Sequence, residues 1–143
     1  MVRLNIKKLS DEAIIPKYAT KGDAGMDLFS MSEHVLKTGE RCLVSTGLSF
    51  EIPEGYEVQV RPRRGLALKK GISLVNSPGT VDSGYRGEIG IIVINHGEED
   101  FEIKKGDKIA QAVINKFEIG EIEEVNDLSG SERGEGGFGS TGL

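Results

Sequence analysis

The sequence predicts an all-β fold, a barrel or a sandwich, in a single domain. Apolar and polar residues alternate in several short segments, as in 56–61, where Tyr56, Val58 and Val60 share one face of a strand. Turn-forming Pro and Gly residues separate these segments at short intervals, for example in Ser77-Pro-Gly79. A chain of 143 residues buries one core and leaves no room for a second.

The elements follow from this pattern in chain order. The alternation predicts strands at 3–9, 41–51, 56–61, 72–76, 88–95, 109–117 and 122–125. Within them, 89–94 is apolar except for Gly90, which is typical of a strand buried on both faces or packed against another subunit. One short helix is predicted at 66–70, entered through Arg63-Arg-Gly65 and ended by Gly71.

Composition narrows the classes of function. The chain carries 18 basic and 23 acidic residues, a net charge of -5, which argues against a general DNA or RNA binder. A small anionic ligand therefore needs a local basic pocket.

Cys42, the one cysteine, lies in an apolar run and is predicted to be a core residue without a disulfide. With neither a signal-peptide pattern nor a long apolar stretch, the expectation is a cytoplasmic protein that does not contact a membrane.

An arginine cluster is the first candidate for ligand binding. Arg61-Pro-Arg-Arg-Gly-Leu-Ala67 places three arginines before the predicted helix, where free backbone amides favour an anion such as phosphate. The alternative is a solvated basic turn that ends a strand.

The stretch from Asn76 to Gly87 is predicted to be a wide hairpin loop, because it is dense in turn formers and lies between two strands. Its main-chain groups and the Asn76 amide suit the polar edge of a base, and Tyr85 suits packing against a sugar. Asp82 suits a general base. An ordinary turn aspartate remains the alternative for Asp82.

Two further polar residues lie in apolar surroundings. Asp27, in Asp23-Ala-Gly-Met-Asp-Leu-Phe-Ser30, is flanked by residues expected to point into the core. It belongs to a hydrogen-bond network at a subunit contact, to the water shell of a bound metal, or to an ordinary turn or cap. Gln111, inside the predicted strand 109–117, either donates to a phosphate or faces water.

The C-terminal segment 131–143 is predicted to be a flexible lid on a barrel domain formed by 1–130. It is rich in glycine, yet Phe138 can stack on a base and Arg133 can grip phosphate. Three neighbouring residues offer further amides and hydroxyls to phosphate: Gly139, Ser140 and Thr141. The alternative is a floppy chain end.

Because the sequence lacks the motifs of several other kinds of active site, carboxylates are the candidates for acid–base chemistry. The chain has no Walker loop, no Gly-x-Ser-x-Gly elbow and no zinc-ligand spacing. His34 and His96 lie in polar, loop-like surroundings and are predicted to be surface residues. The acidic run 118–127 is predicted to be a solvated strand edge.

Taken in order, these segments resemble the five motifs of the trimeric deoxyuridine triphosphatase (dUTPase) family. The matching segments are Ala24-Gly-Met-Asp-Leu28, Arg61-Pro-Arg-Arg-Gly-Leu-Ala67, Gly79-Thr-Val-Asp-Ser-Gly-Tyr-Arg-Gly87, Gly106-Asp-Lys-Ile-Ala-Gln111 and Arg133-Gly-Glu-Gly-Gly-Phe-Gly-Ser-Thr-Gly142. The resemblance implies a distorted jelly-roll-like β-barrel and a homotrimer whose three active sites lie where subunits meet.

The resemblance also implies an activity, the hydrolysis of dUTP to dUMP and pyrophosphate, which limits uracil incorporation into DNA and supplies dUMP for dTMP synthesis. The hairpin would hold uracil through Asn76 and main-chain groups, with Gly79 and Val81 among its binding residues. Tyr85 under the sugar would reject a ribose 2'-hydroxyl. Asp82 would deprotonate a water that attacks the α-phosphorus in line.

For the triphosphate, the resemblance implies Mg²⁺ as cofactor, with Asp27 touching the ion's water shell and no protein atom needed as a direct ligand. The residues implied to bind phosphate are Arg63, Arg64, Gly65 and Gln111. The tail, coming from a neighbouring subunit, would close with Phe138 over the base and Arg133 on the γ-phosphate.

The chain departs from the family pattern at position 64, where the pattern has serine and this sequence has Arg64. The added bulk and charge predict a protein that binds dUTP but turns it over slowly. Two alternatives follow: a catalytically impaired module that binds nucleotide or regulates a partner, and a relative of dCTP deaminase.

Overall fold

The structure is a computed structural model that describes residues 1–142. Within these residues, ten strands and one helix follow one another along the chain. They are β1 (Asn5–Lys8), β2 (Gly25–Phe29), β3 (His34–Leu36), β4 (Arg41–Glu51), β5 (Tyr56–Pro62), α1 (Arg64–Lys70), β6 (Ile72–Leu74), β7 (Gly79–Val81), β8 (Glu88–Asn95), β9 (Phe101–Ile103) and β10 (Lys108–Lys116). The prediction of an all-β class with one short helix is confirmed.

Two four-stranded sheets enclose one core. Their strand orders are β1-β4-β8-β6 and β2-β10-β5-β7, and β3 and β9 form a separate pair. Every pairing is antiparallel. Because successive side chains of a strand point to opposite faces, the inward face of each strand carries alternate residues. Ile89, Ile91 and Val93 of β8 meet Val58 and Val60 of β5 in this core. Burial of these apolar side chains is the main source of the stability of the fold.

The long strands agree with the sequence prediction, and of the six short strands only β1 and β6 were predicted. The predictions at 41–51 and 88–95 match β4 and β8, and that at 56–61 matches all of β5 except Pro62. Those at 3–9, 72–76 and 109–117 fall on β1, β6 and β10 with shifted ends. The strands that alternation did not reveal are β2, β3, β7 and β9. Each has five residues or fewer, too few for a clear period.

The predicted strand at 122–125 is wrong, and so is the idea that the acidic run 118–127 forms a strand edge. Both segments lack strand structure and are exposed. Ile119, Ile122, Val125 and Leu128 recur every third residue, which does not place them on one face of a strand. Ile122 keeps 93% of its surface exposed and Val125 keeps 50%, so these apolar side chains are covered little or only in part within the described part of the chain.

Strand β8 is buried on one face only. On its outer face Ile92 and Ile94 are half-buried, and Leu43, which pairs with Ile92, is 67% exposed. The expectation of burial on both faces is therefore wrong for the single chain, and contact with another subunit stays a prediction. Cys42 packs against the edge of the core and is half-buried, and this burial raises the pKa of its thiol.

Helix α1 begins two residues before the predicted start and ends as predicted at Gly71. Gly71 has φ 67°, a left-handed conformation that suits glycine, and its N–H bonds back to Ala67 O. A side chain at Gly71 would also come within 2.7 Å of the Gly97 backbone. No helix in residues 1–142 is long and apolar enough to span a membrane.

A buried asparagine ties the β8–β9 turn to the barrel. Asn95 is fully buried, and its Nδ2 donates to Leu36 O at 2.9 Å and to Glu99 O at 2.8 Å. Its Oδ1 accepts from Gly97 N at 2.8 Å. Both the donor and the acceptor group of the Asn95 side chain are thus hydrogen-bonded, which offsets the free-energy cost of burying this amide.

We expect Asn95→Asp to destabilise the fold strongly. The carboxylate would face the Leu36 and Glu99 carbonyl oxygens without a donor, at a cost of roughly 3 kcal/mol or more in the free energy of unfolding. Chemical denaturation measures this loss. The control is Asn126→Asp, which makes the same change at an exposed position and should shift stability by less than about 0.5 kcal/mol. Equal stability of the two variants would contradict this role of Asn95.

Candidate active site

The main cleft lies where β2, β10 and the start of α1 meet. Strand β10 runs between β2 and β5, and its Gln111 pairs with Asp27 on one side and Arg61 on the other. The resulting cleft has a volume of about 550 Å³. Its lining is almost entirely polar or small: Ala19, Asp23, Ala24, Gly25, Asp27, Arg63, Arg64, Gly65 and Gln111. Three of the five predicted motifs therefore converge at one place in a single chain.

Asp27 is the electrostatic centre of this cleft. Its side chain is 20% exposed, with Oδ1 3.2 Å from Arg63 Nε and Oδ2 3.0 Å from Lys108 Nζ. Both carboxylate oxygens thus face a cation, which offsets the cost of partial burial. The sequence left open a network at a subunit contact, the water shell of a metal, or a turn or cap for Asp27, and it did not anticipate the ion pairs within the chain that the structure contains.

Arg63 and Arg64 differ in their surroundings although they are adjacent. Arg63 precedes α1 in an extended conformation, and besides Asp27 it binds Lys108 O through Nη1 at 3.3 Å. Arg64 is the first residue of α1, is exposed, and makes no ion pair within residues 1–142. Arg63 is therefore held in place, whereas the Arg64 side chain is free to adjust.

Gln111 is held by its neighbours with its carboxamide in the cleft. Its Nε2 donates to Pro62 O at 3.0 Å. Its Oε1 lies over Gly25, where a Cβ would overlap it. Gly25 thus leaves the space that this carboxamide occupies. Gln111 is half-buried and lines the cleft, which favours a role in ligand binding over a side chain that simply faces water.

The predicted hairpin forms a second, smaller pocket of about 200 Å³. Asp82, Val81 and Tyr85 line it, together with Thr80, Glu88, Ile89 and Gly90. The Asp82 side chain is exposed and, within the described residues, has no ion-pair or hydrogen-bond partner. Its carboxylate is therefore free to bind a water or a ligand.

The hairpin is fixed by its own contacts. Tyr85 Oη donates to Glu88 O at 3.0 Å, and a side chain at Gly87 would come within 2.6 Å of Tyr85 Cζ. Arg86 Nη1 donates to Ser83 O at 2.7 Å. The absence of a side chain at Gly87 leaves the space that the Tyr85 ring occupies. At the start of the loop Asn76 is exposed, and Gly79 is buried beside its amide.

The predicted tail residues lie apart from both pockets. Within 131–142 every hydrogen bond joins residues of the same segment, for example Arg133 Nε to Gly136 O at 2.8 Å. Phe138 is fully exposed, with φ 51°. Gly139, Ser140 and Thr141 form turns in the same exposed stretch, and Leu143 lies outside the described residues. No residue lines both the cleft and the hairpin pocket.

The order and spacing of these segments match a known family over most of the chain. The sequence model of the family described as dUTPase matches residues 11–142. The chain belongs to the dUTPase family.

Relatives and solved structures agree with this dUTPase assignment. A deoxyuridine 5'-triphosphate nucleotidohydrolase of Clostridium acetobutylicum is 59% identical over 143 residues, covering 100% of this chain and 99% of the relative. The dUTPase of Staphylococcus bacteriophage 80alpha, solved with dUPNHPP, matches with a TM-score of 0.92 and 32% identity over 99% of both chains. This likeness confirms the predicted jelly-roll fold.

A second solved dUTPase, a mutant from phage phi11 of S. aureus, matches with a TM-score of 0.81 and 28% identity over 87% of this chain and 97% of that one. Its description mentions the coordination of a structural Mg(II) ion.

Lys108, beside the dUTPase cleft, is a charged residue that sequence reasoning missed, as it missed the lining residues Ala19, Asp23, Ala24 and Gly25. It lies in the fourth motif, but only Gln111 was singled out there. In a regular strand, residues three apart point to opposite faces. The register of β10 shifts between Lys108 and Ala110, so that Lys108 pairs with Phe29 and joins the face of Asp27 and Gln111. A cation directly after Gly106-Asp107 was the only available signal.

Proposed function

We propose that this dUTPase hydrolyses dUTP to dUMP and pyrophosphate, limiting uracil incorporation into DNA and supplying dUMP for dTMP synthesis. The observation that carries the proposal is the unpaired Asp82 carboxylate on the hairpin, in a chain that also has a polar cleft lined by Arg63 and Arg64. A free carboxylate and a phosphate-binding cleft are the two parts that hydrolysis of a nucleoside triphosphate requires.

In this proposal the hairpin selects the nucleoside. Uracil binds to Asn76 and to main-chain groups near Gly79 and Val81, which suits a flat base with donors and acceptors along one edge. The Tyr85 ring, fixed against Gly87, packs under the deoxyribose and leaves no room for a 2'-hydroxyl. Asp82 accepts a proton from the water that attacks the α-phosphorus, and the bond to the pyrophosphate oxygen breaks in line with that attack.

The cleft binds the triphosphate. Arg63 is already oriented by Asp27 and Lys108 O, and Gln111 Nε2 and the Gly65 amide add neutral donors. Holding the phosphate chain at several points sets the in-line geometry, and a misplacement of about 1 Å costs roughly a hundredfold in rate.

Mg²⁺ fits this cleft through water and not through direct protein ligands. Both Asp27 oxygens are already paired with cations, and within residues 1–142 no group of three His, Cys, Asp or Glu side chains is placed to hold a metal ion. Asp27 would therefore contact the water shell of an ion carried by the triphosphate. Bound there, Mg²⁺ supplies positive charge to the phosphate oxygens and to the leaving group.

We propose a homotrimer in which different subunits supply the two parts of each site. The hairpin pocket and the cleft share no lining residue, which supports this arrangement. The exposed apolar residues Leu43 and Ile122, and the half-buried Ile92, offer surfaces that a neighbouring copy would cover. In this arrangement 131–143 acts as a lid on the 1–130 barrel, with Phe138 over the base. Arg133 and the hydroxyls of Ser140 and Thr141 then reach the phosphates, and closure excludes water.

We expect pyrophosphate release from dUTP, and little from dTTP, dCTP or UTP. Asp82→Asn should lower the turnover of dUTP roughly a thousandfold, because an amide cannot accept the proton of the attacking water, while dUTP still binds. A coupled pyrophosphate assay with Mg²⁺ measures the rate. Asp11→Asn, at an exposed position outside both pockets, is the control. Unchanged turnover in Asp82→Asn would refute the role of Asp82, and ammonia release from dCTP would indicate a deaminase instead.

If each active site is shared between subunits, two variants that are inactive alone should restore activity when they are mixed. Arg63→Ala and Asp82→Asn homotrimers should each be inactive, whereas trimers refolded from a mixture of the two should regain activity. In mixed trimers some sites combine an unaltered Arg63 of one subunit with an unaltered Asp82 of another. Sedimentation of the mixture checks assembly. A mixture as inactive as each variant would mean that one chain supplies both groups.

The arginine at position 64 predicts slow turnover of dUTP. We expect Arg64→Ser to raise the turnover of dUTP, by up to about a hundredfold, since it removes bulk and charge next to the reacting phosphates. Lys69→Ser, which removes an exposed cation from the same helix outside the cleft, should leave turnover unchanged. If Arg64→Ser has no effect on turnover, Arg64 does not impair the reaction. If wild-type chain binds dUTP without releasing pyrophosphate, a nucleotide-binding module is the better description.

A further inference from the structure

Lys108, Asp27 and Arg63 form a closed ring of contacts. Lys108 Nζ lies 3.0 Å from Asp27 Oδ2, and Arg63 Nε lies 3.2 Å from Asp27 Oδ1. The ring closes where Arg63 Nη1 donates to Lys108 O at 3.3 Å. Lys108 thus contacts both of the other residues, one through its side chain and one through its backbone.

Two features of the fold keep the Lys108 side chain in this ring. The register shift in β10 turns it to the face that carries Asp27. Its ammonium also lies 5.9 Å from the centroid of the Phe29 ring, within the range of a cation–π contact. Lys108 does not line the cleft itself, so its effect on a ligand has to pass through the residues that do.

The charges explain why a second cation is useful beside Asp27. The cleft contains two carboxylates, Asp23 and Asp27, against the two guanidinium groups of Arg63 and Arg64. With Lys108 the cations outnumber the anions by three to two, which favours a polyanionic ligand. Without it, Asp27 would be neutralised by Arg63 alone, and a guanidinium fully engaged by a carboxylate is a poor partner for phosphate.

Arg63 can still bind phosphate because Lys108 shares the neutralisation of the Asp27 carboxylate. Of its five N–H donors, one on Nη1 is hydrogen-bonded within residues 1–142, and Nε faces Asp27 as an ion pair. The Nη2 donors remain for a phosphate oxygen. The Lys108 carbonyl accepts a hydrogen bond that orients the guanidinium, and the Lys108 ammonium is the second cation beside Asp27.

We propose that Lys108 is a positioning residue of the nucleotide site: its ammonium neutralises Asp27 and so leaves Arg63 oriented and available for the phosphate chain. This inference deepens the proposed function and depends on the same cleft. Lys108 acts through Asp27 and Arg63 and makes no contact with the reacting atoms.

The first test is Lys108→Met, which removes the ammonium but keeps an apolar stem against Phe29. The KM for dUTP should rise about tenfold, with a much smaller change in kcat, because an oriented charge-assisted contact to phosphate is weakened. Lys108→Arg should restore the wild-type KM. Lys116→Met, at the exposed end of the same strand, is the matched control and should leave KM unchanged. An unchanged KM in Lys108→Met would overturn the proposal.

A double-mutant cycle separates positioning from direct binding. The readout is the affinity for inorganic pyrophosphate without metal, measured by calorimetry on the full chain, with thermal unfolding as a check on folding. Lys108→Met should weaken pyrophosphate binding about tenfold in the wild-type background and less than about twofold in the Asp27→Asn background, where no carboxylate needs a partner. Equal losses in both backgrounds would mean that Lys108 binds phosphate itself, which overturns the inference.

The two proposals fail in different ways. A wild-type chain that binds pyrophosphate but does not hydrolyse dUTP contradicts the proposed function, and the double-mutant cycle still decides the role of Lys108. A chain that hydrolyses dUTP but has no coupling between Lys108 and Asp27 keeps its function and loses the inference.

Discussion

The central position of β10 is the constraint on which the rest of the structure depends. Because β10 pairs with β2 on one side and β5 on the other, Gln111 lies between Asp27 and Arg61, residues more than thirty positions apart in sequence. The same pairing delivers Arg63, just beyond β5, to the same edge of the sheet. Cross-strand neighbours lie only about 5 Å apart, so three distant motifs become one cleft.

Electrostatic balance is what makes this cleft suitable for a polyanion. A chain with a net charge of -5 repels phosphate on average, and the cleft reverses this locally by gathering cations around Asp27. Ion pairs at this degree of exposure contribute little to stability. Their contribution is to orient the side chains. Because each contact already restricts a side chain in the free protein, less conformational entropy is lost when the nucleotide binds.

The proposed division of the site between two surfaces links the fold to the proposed assembly. The hairpin that carries Asp82 and the cleft that carries Asp27 form separate pockets, and neither pocket includes a residue of the other. Apolar residues meanwhile remain exposed on β4 and along 119–128. A small barrel with incomplete pockets and uncovered apolar side chains is a typical building block of a symmetric oligomer.

The sequence by itself determined the all-β class, long strands such as β4 and β8, and the end of helix α1 at Gly71, because periodicity and turn chemistry are local properties. Motif spacing, which is also local, singled out Asp27, Arg63 and Gln111 as candidate site residues. Only the tertiary structure decided the rest. It revealed that 122–125 is no strand, since a strand requires a partner that no local pattern supplies. It also placed Lys108 beside Asp27, because a register shift arises from the pairing of two distant strands and leaves no trace in the alternation of either.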